Sequence, residues 1–276
     1  MTFFRLYGKP DVFEEYLACW GLTTDGAPIL TSSSRLLPVR RAGTPLMLKI
    51  ALEPEEKFGN ALMRWWDGGG AARVLAHAGD ALLMERAEGN KSLAALAQNG
   101  SDDEACRILC RAVARLHTPK NRPPPPLVPL THWFRELAPA AAKHGGILSL
   151  CADTAQALLA SPQEVTVLHG DIHHGNVLDF GAHGWLAIDP KGLHGERGFD
   201  YANIFCNPDH ETATVPGRLA RRATWIAAAA GLERRRLVQW VLAWSGLSAA
   251  WCLGGGTPPE VQLNIAAEAA AELQQS

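Results

Sequence analysis

The sequence has little excess charge of either sign. Its 276 residues include 26 Lys and Arg against 28 Asp and Glu, so the formal net charge is -2, and the sequence pI is about 6.5. A protein that binds nucleic-acid backbones normally carries a clear excess of basic residues. We therefore expect no nucleic-acid partner.

Paired cysteines are also lacking. The six cysteines are scattered, without a Cys-x-x-Cys pair, along a chain too long to need a disulfide framework. Cys106 and Cys110 would share one face of a helix, but two thiols without nearby partners do not make a metal site. The sequence predicts reduced thiols, with Cys106 and Cys110 in buried packing.

The sequence also lacks the motifs typical of targeting segments and of Walker phosphate loops. No basic region followed by an apolar core opens the sequence, and the Ala-rich stretch 225–232 is far too short to cross a bilayer. We expect a cytoplasmic protein without a membrane partner. No Gly-Lys-Ser or Gly-Lys-Thr occurs, so the triple glycine 68–70 is interpreted as a turn and not as a Walker phosphate loop.

The composition that remains is that of a globular protein, with 47% hydrophobic and 20% charged residues. In the first eighty residues short apolar runs alternate with turn residues, which predicts an antiparallel sheet. Lys49 interrupts the apolar strand 46–51, a costly position for a charge without an anionic partner. A helix is predicted from about Pro54 to Trp66, and a strand at 81–84 precedes the predicted lobe boundary.

Helical periodicity dominates the rest of the chain. Ser101 and Glu104 form a capping-box pattern at the start of a helix that runs to about His117. The predicted fold class is α+β, with an antiparallel sheet plus a helix in residues 1–86 and a mainly helical lobe in residues 87–276. Three tryptophans would share one helical face, and we interpret them as core packing: Trp240, Trp244 and Trp251.

Chemically informative residues are densest between residues 165 and 208, with their centre at 167–178. An apolar strand leads into the loop 169–176 (HGDIHHGN), a second strand leads out, and a hairpin returns the chain to a carboxylate beside the loop. Phosphoryl transfer from a nucleotide needs a base for the attacking hydroxyl, oxygen ligands for Mg²⁺ and a cation on the phosphates. Four residues suit these roles and make ATP and Mg²⁺ the expected cofactors: Asp171 as base, Asn176 and Asp189 as metal ligands, and Lys49 as cation.

Two other functions stay open on these residues alone. Gly170 to His173 also begins the Gly-Asp-x-His motif of dinuclear metallophosphatases, although the later blocks of that motif are missing from the sequence. The second alternative is a kinase fold that binds a nucleotide or small ligand without turnover. Such a protein would normally have lost one of the four core residues, and all four are present.

The loop resembles that of a known kinase group. Residues 169–176 resemble the His-Gly-Asp-x-x-x-x-Asn loop of the aminoglycoside and choline kinases, and 188–190 (IDP) resembles their counterpart of the kinase Asp-Phe-Gly segment. Residues 198–205 (GFDYANIF) resemble the segment whose aspartate braces that loop. The similarity extends over essentially the whole chain to the streptomycin 6-kinase and hydroxyurea kinase branch of the aminoglycoside phosphotransferase family, as in 36–40 (LLPVR) and 185–190 (WLAIDP).

This resemblance implies a protein-kinase-like fold in two lobes, with ATP in the cleft between them and Glu85 to Ala87 at the hinge. Glu56 matches the ion-pair partner of the strand lysine, with Glu55 as an alternative one position away. The remaining matches are Lys49 for the nucleotide phosphates, Asp171 as catalytic base, Asn176 and Asp189 as metal ligands, and His169 and Asp200 in structural roles.

Two positions depart from the family pattern. Gly175 stands where members of the branch often carry Glu, which removes one carboxylate beside the metal. The glycine-rich phosphate loop of protein kinases is replaced by Thr31 and three serines, so their hydroxyls and backbone N–H groups would have to hold the phosphates. The nucleotide-binding candidates there are Ser32, Ser33 and Ser34.

The resemblance also implies the reaction, transfer of phosphate to a hydroxyl of streptomycin as a route to antibiotic resistance. Hydroxyurea or another small polar metabolite is the alternative acceptor. A cationic acceptor should be met by carboxylates, because charge-assisted pairs give affinity and orientation, and the candidates are Glu196, Asp209 and Glu211. The sequence leaves the phosphorylated position and the oligomeric state open, and a monomer is compatible with it.

Overall fold

The computed structural model describes residues 12–275 of the chain, apart from the side chains of Pro54 and Glu55. The described residues fold into two lobes, as predicted: a sheet with one long helix, followed by a mainly helical lobe. The sheet strands end at Glu85 and the next helix begins at Leu93, so the connection between the lobes lies within residues 86–92.

The sheet of the first lobe is antiparallel throughout, in the order β1-β3-β4-β6-β5, with β2 paired to β3. A short helix, α1 (Glu14–Trp20), precedes it. The strands are β1 (Thr23–Thr24), β2 (Ile29–Leu30), β3 (Ser34–Arg41), β4 (Thr44–Ala51), β5 (Val74–Ala78) and β6 (Ala81–Glu85).

Alternation along β4 sends its side chains to the two faces of this sheet. Leu46 and Leu48 belong to a small apolar cluster, together with Phe13 and Leu22. Lys49 lies on the other face, where helix α2 (Pro54–Trp66) packs. The lysine that interrupts the apolar strand therefore points away from that cluster and toward a helix that carries a carboxylate.

The second lobe holds the larger apolar core, and α2 contributes to it through Leu62, Met63 and Trp66. Its helices are α3 (Leu93–Gln98), α4 (Asp102–Leu116), α5 (Leu130–Trp133), α6 (Leu137–His144), α7 (Ile147–Ala160), α8 (His210–Ala213), α9 (Arg218–Ala230), α10 (Arg234–Gly254) and α11 (Glu260–Gln275). Its strands are β7 (Val128–Pro129), β8 (Val165–Leu168), β9 (Val177–Asp179), β10 (Trp185–Ala187) and β11 (Leu193–Glu196). Short 3-10 helices cover Phe134–Glu136, Gly181–His183 and Arg197–Cys206.

Helix α10 is the central helix of this lobe. Its length and apolar composition would satisfy a membrane span, but 67% of its most apolar stretch is buried inside the protein. It packs against α7, α11 and the 3-10 helix that begins at Arg197. Its apolar character is therefore accounted for by the core of the lobe.

The start of helix α4 and the state of the cysteines test two local predictions of the sequence. Helix α4 begins at Asp102 as expected, but the Ser101 side chain makes no capping hydrogen bond, and the acidic residues of the first turn favour the helix N-terminus instead. All six cysteines are free, as predicted, and Cys106, Cys110 and Cys151 are buried. Cys19 is exposed, because α1 buries none of its residues.

Two small sheets of the second lobe frame the loop 169–176. Strand β8 enters the loop and pairs with β11, and β9 leaves it and forms a hairpin with β10. At the end of β10 the backbone also pairs with the first lobe, since Ala72 N donates to Ala187 O and Ala187 N donates to Gly70 O, both at 2.9 Å. The loop is thus fixed on both sides by strand pairing.

Candidate active site

Asp171 lies at the turn of the loop, where β8 has ended and the left-handed backbone of Gly170 reverses the chain. One carboxylate oxygen, Oδ1, accepts a hydrogen bond from Asn203 Nδ2 at 2.9 Å. The other, Oδ2, accepts one from Asn176 Nδ2 at 3.2 Å, and the same amide group donates to Asp171 O at 2.9 Å. These bonds fix the carboxylate and commit the Asn176 amide nitrogen, which leaves Asn176 Oδ1 for another partner.

Asp189 is brought beside Asn176 by the β9–β10 hairpin, since Ile188 N donates to Asn176 O at 2.9 Å. Its own backbone is left-handed, with φ of 61°. The carboxylate pairs with Lys49 and lies 3.5 Å from Lys191 Nζ. Burial alone would raise the pKa of Asp189, but the two lysines outweigh it, and the pKa lies well below the usual range. Asp189 is therefore a carboxylate at neutral pH.

Lys49 bridges the two lobes. Its ammonium group contacts Glu56 Oε2 on α2 and Asp189 Oδ1 on the second lobe. Lys49 and Glu56 are both almost fully buried, at 5% and 2% exposure, so each charge depends on the other. The structure thus pairs Lys49 with Glu56, while the side chain of the alternative, Glu55, lies outside the described residues.

Lys191 is a fifth charged group of this cluster, and the sequence reasoning did not identify it. Its Nζ atom lies 3.1 Å from Glu56 Oε1, 3.5 Å from Asp189 Oδ2 and 3.8 Å from Asp171 Oδ2. Burial would lower the pKa of Lys191, but these carboxylates outweigh it and raise the pKa above its ordinary value. The sequence feature that could have indicated Lys191 is its position two residues after Asp189, in the segment Asp-Pro-Lys-Gly.

Asp200 and His169 hold the start of the loop. Asp200 Oδ2 accepts a bond from His169 N at 2.9 Å and lies 2.8 Å from His117 Nε2, while Oδ1 accepts one from Gly170 N at 2.7 Å. The ring of His169 connects the loop to the residue before Asp189. Asp171 N donates to its Nδ1 atom at 3.2 Å, and its Nε2 atom contacts Ile188 O at 2.9 Å. Burial lowers the pKa of His169, so a neutral ring that donates from Nε2 fits these contacts.

The predicted nucleotide residues lie in the first lobe and at its edge. Ser34 is buried and its hydroxyl is paired with that of Thr31 at 3.1 Å, whereas Ser32 is exposed and Ser33 half-buried in the turn before β3. At the end of β6, Glu85 Oε2 accepts a bond from Arg73 N at 3.2 Å. Ala87, half-buried, follows in the connection between the lobes and packs against the larger core.

The structure does not bring the three predicted acceptor carboxylates to this cluster. Glu196 pairs with Arg236 and accepts a bond from Trp240 Nε1, because the antiparallel register of β11 puts it opposite Val165, at the end of β8 remote from the loop. Asp209 caps α8 through Thr212 N. Glu211 is exposed on α8. The three residues were predicted to lie near the site because they follow Asp189 in the sequence. For Glu196, the direction of β11 instead carries the side chain away from Asp189.

A cavity of about 660 Å³ opens beside Asp171 instead, with Gly170 and Lys191 in the same wall. Glu136 is the other carboxylate of its lining. Trp133, Trp244 and Trp251 form an aromatic wall with ring centroids 5.3 to 5.4 Å apart for the two contacting pairs. Trp240 packs in the core as predicted, whereas Trp244 and Trp251 also line this cavity, so core packing alone does not describe them.

The oxygens at the loop suit a magnesium ion. Asn176 Oδ1 is left over by the hydrogen bonds of its amide group, and Asp189 supplies an ionised carboxylate. Mg²⁺ is commonly held by one or two such oxygens, with water and substrate phosphates completing its shell. The donor set therefore fits a metal that is bound together with a nucleotide.

Several known proteins are similar to this chain in sequence or in fold. The streptomycin 3''-kinase of Klebsiella pneumoniae is 55% identical over 242 residues, which cover 86% of this chain and 91% of that protein. The streptomycin 6-kinase of Streptomyces glaucescens is 31% identical, over 90% of this chain and 84% of that protein. The crystal structure of a choline kinase from Cryptosporidium parvum has the same fold, with a TM-score of 0.63 and 12% identity, over 96% of this chain and 92% of that one.

A family model, that of the aminoglycoside/hydroxyurea antibiotic resistance kinases, matches residues 19–256. This range includes the whole sheet of the first lobe, the second lobe up to the end of α10, and every residue of the charged cluster. The chain belongs to the aminoglycoside/hydroxyurea antibiotic resistance kinase family.

Proposed function

We propose that this chain is an ATP-dependent O-phosphotransferase that transfers the γ-phosphate to a hydroxyl group of streptomycin. The observation that carries the proposal is the convergence of Lys49, Asp171, Asn176 and Asp189 from three separate segments of the chain, with Asp171 lining an open cavity. The streptomycin 3''-kinase at 55% identity supports the choice of acceptor. Of the two positions named among the relatives, that identity favours the 3''-hydroxyl over the 6-hydroxyl of the relative at 31%.

In this function Asp171 orients the acceptor hydroxyl in the cavity and takes its proton as the phosphate is transferred. Lys49 holds the nucleotide phosphates, and Glu56 fixes Lys49. Asn176 and Asp189 would hold the magnesium ion, which when bound neutralises charge on the phosphate oxygens. Asp200 and His169 position the loop through the bonds to its backbone.

The division of the chain follows from these roles. Residues 1–86 form the proposed nucleotide-binding lobe, in which Ser32, Ser33 and Ser34 lie near the phosphates. Glu85 to Ala87, which cross from this lobe into the next, contact the adenine at the hinge. Residues 87–276 form the proposed catalytic and substrate-binding lobe. Of the serines, Ser32 and Ser33 have the exposure that phosphate contact requires, while Ser34 contributes through the turn that it shares with Thr31.

The direct test is ADP release by the purified protein with ATP and Mg²⁺, in the presence of streptomycin, kanamycin or hydroxyurea. We expect release that depends on streptomycin, and fragment masses or NMR of the product that place the phosphate at the 3'' position. A 6-phosphate would correct the position alone. Release with hydroxyurea but not streptomycin would contradict the proposed acceptor.

Asp171→Asn tests the assignment of the base. Because the carboxylate acts mainly in the transition state, we expect kcat to fall by roughly 10²- to 10⁴-fold while the affinity for ATP stays nearly unchanged. A matched control is Asp153→Asn, an exposed aspartate of α7, which should keep wild-type kcat. An Asp171→Asn protein with full turnover would refute this role.

A further inference from the structure

Lys191 stands where three carboxylates of the cluster meet. Glu56 belongs to α2, Asp189 follows β10, and Asp171 lies in the loop after β8, and all three have an oxygen within 3.8 Å of Lys191 Nζ. A lysine ammonium group is a compact point charge with three donors. One cation thus faces the proposed base and a proposed metal ligand at the same time.

The two lysines of the cluster share its carboxylates in a regular way. Lys49 contacts Glu56 Oε2 and Asp189 Oδ1, and Lys191 faces the opposite oxygens, Glu56 Oε1 and Asp189 Oδ2. Lys191 Nζ is within hydrogen-bonding distance of Glu56, at 3.1 Å, while its separations from Asp189 and Asp171 exceed a good hydrogen bond. Its remaining N–H groups are therefore held near two carboxylates but are free to bond to an incoming anion.

Lys191 also borders the acceptor cavity. It lines this space together with Asp171, and its side chain keeps 19% exposure, against 6% for Lys49. A phosphoryl group that moves from a nucleotide beside Asp189 to a hydroxyl beside Asp171 must pass the interval that Lys191 spans. Lys191 is thus placed at the path of transfer, and Lys49 behind it.

The backbone around Lys191 is well fixed. Lys191 N donates to His169 O at 2.7 Å, which ties the residue to the loop of the base. On the other side, the Pro190 carbonyl packs so closely on α2 that a Cβ atom at Gly59 would lie 2.1 Å from its oxygen. The ammonium group is therefore presented from a rigid segment, which an electrostatic contribution to catalysis requires.

We propose that Lys191 is a further catalytic residue, whose ammonium group bonds to the transferring phosphoryl group between donor and acceptor. The proposal rests on the phosphotransfer function proposed above. In the step, the bond from the γ-phosphorus to the leaving oxygen of ADP breaks and the bond from the acceptor oxygen forms. The acceptor proton passes to Asp171, and Lys191 keeps its three protons and balances the negative charge on the phosphoryl oxygens.

The test compares Lys191→Met, Lys191→Arg and the control Lys57→Met, a lysine of α2 that pairs with Asp80 on the surface. We expect Lys191→Met to lower kcat by roughly 10²- to 10³-fold, as for loss of one donor to a transition-state charge, with little change in KM for streptomycin. Lys191→Arg should restore part of the loss because the charge remains. The control should match the wild type.

A second readout does not depend on turnover. Calorimetric titration with Mg²⁺ and either ADP or a non-hydrolysable ATP analogue should show that Lys191→Met weakens binding of the analogue several-fold and leaves ADP affinity unchanged. Equal weakening of both nucleotides, or kcat within twofold of wild type, would overturn the proposal and reduce Lys191 to a structural ion pair. A wild type that binds the analogue but phosphorylates no acceptor would refute the acceptor instead, and the binding comparison would still decide the role of Lys191.

Discussion

His174, inside the loop 169–176, is a buried histidine with no hydrogen-bond partner on either ring nitrogen among the described residues. It faces Arg218 and Arg222 of α9, Asp102 of α4 and its neighbour His173. Burial, assisted by Arg222, lowers the pKa of His174 to about 3. The ring is therefore neutral in the folded protein over the whole physiological range.

This pKa predicts a loss of stability in acid. An unfolded chain takes up the proton near pH 6.5 and the folded one only near pH 3, so stability is fully present above about pH 6.5 and falls below it. For this residue, the free energy of unfolding should fall by about 1.4 kcal/mol for each pH unit below pH 6.5. His174→Phe should make the pH dependence of urea unfolding shallower by that amount between pH 6 and 4.5, whereas His132→Gln, at an exposed site, should not. An unchanged slope in His174→Phe would contradict the prediction.

At the level of single residues, the sequence predicted groups whose spacing is fixed by short-range structure. Asp171 and Asn176 share one loop, and Asp189 is returned to it by a hairpin, so local geometry brings them together. Lys191 was missed because its place in the cluster depends on a contact with Glu56, which lies 135 positions away in the sequence. Only the packing of α2 against the second lobe reveals this contact. Long-range contacts of this kind leave no pattern in a single sequence.

Helix α2 shows how one small residue positions a whole element. Gly59 faces the Pro190 carbonyl, and the Cβ atom of any larger residue would lie 2.1 Å from that oxygen, far inside contact distance. The helix therefore approaches the second lobe closely, with Glu56 one turn earlier reaching both lysines.

Gly59→Ala should push α2 away from the 189–191 segment. We expect a destabilisation of roughly 1–3 kcal/mol, as for overpacking, and a lower kcat because Glu56 is displaced from Lys49. Lys57→Ala, on the exposed face of the same helix, should stay within about 0.5 kcal/mol of wild type. Urea unfolding and steady-state kinetics measure both effects, and a Gly59→Ala protein equal to the control would refute the close contact.

Among the elements, strands and helices with a clear apolar period were predicted well. The strands and surfaces against which they pack were not predicted. The strand around Lys49, helix α2 and the β9–β10 hairpin all lie where apolar spacing and turn residues indicated. The register of β11 against β8, which carries Glu196 away from the site, is set by pairing across the lobe and not by its own residues. Trp244 and Trp251 met the criterion for a buried face, but periodicity does not distinguish a core from a cavity wall.

At the scale of the molecule, the two lobes share one charged cluster, so nucleotide binding should stabilise both. Mg²⁺ with ADP at about 100 times Kd should raise the free energy of unfolding by about 2.7 kcal/mol. In Asp189→Asn the increment that Mg²⁺ adds to ADP alone should disappear, because a proposed metal ligand is lost. Thermal unfolding measures these shifts, with Asp153→Asn as control, and a full Mg²⁺ increment in Asp189→Asn would contradict the metal assignment.

The backbone pairing of residues 70–72 with β10 gives the first lobe a second attachment besides the 86–92 connection. Gly70 permits it, since a Cβ atom there would lie 3.0 Å from Leu116 N. Ala187, which makes this pairing, precedes Asp189 by two residues, so the strand that carries this carboxylate is tied to the first lobe by backbone hydrogen bonds as well as by the Lys49 ion pair.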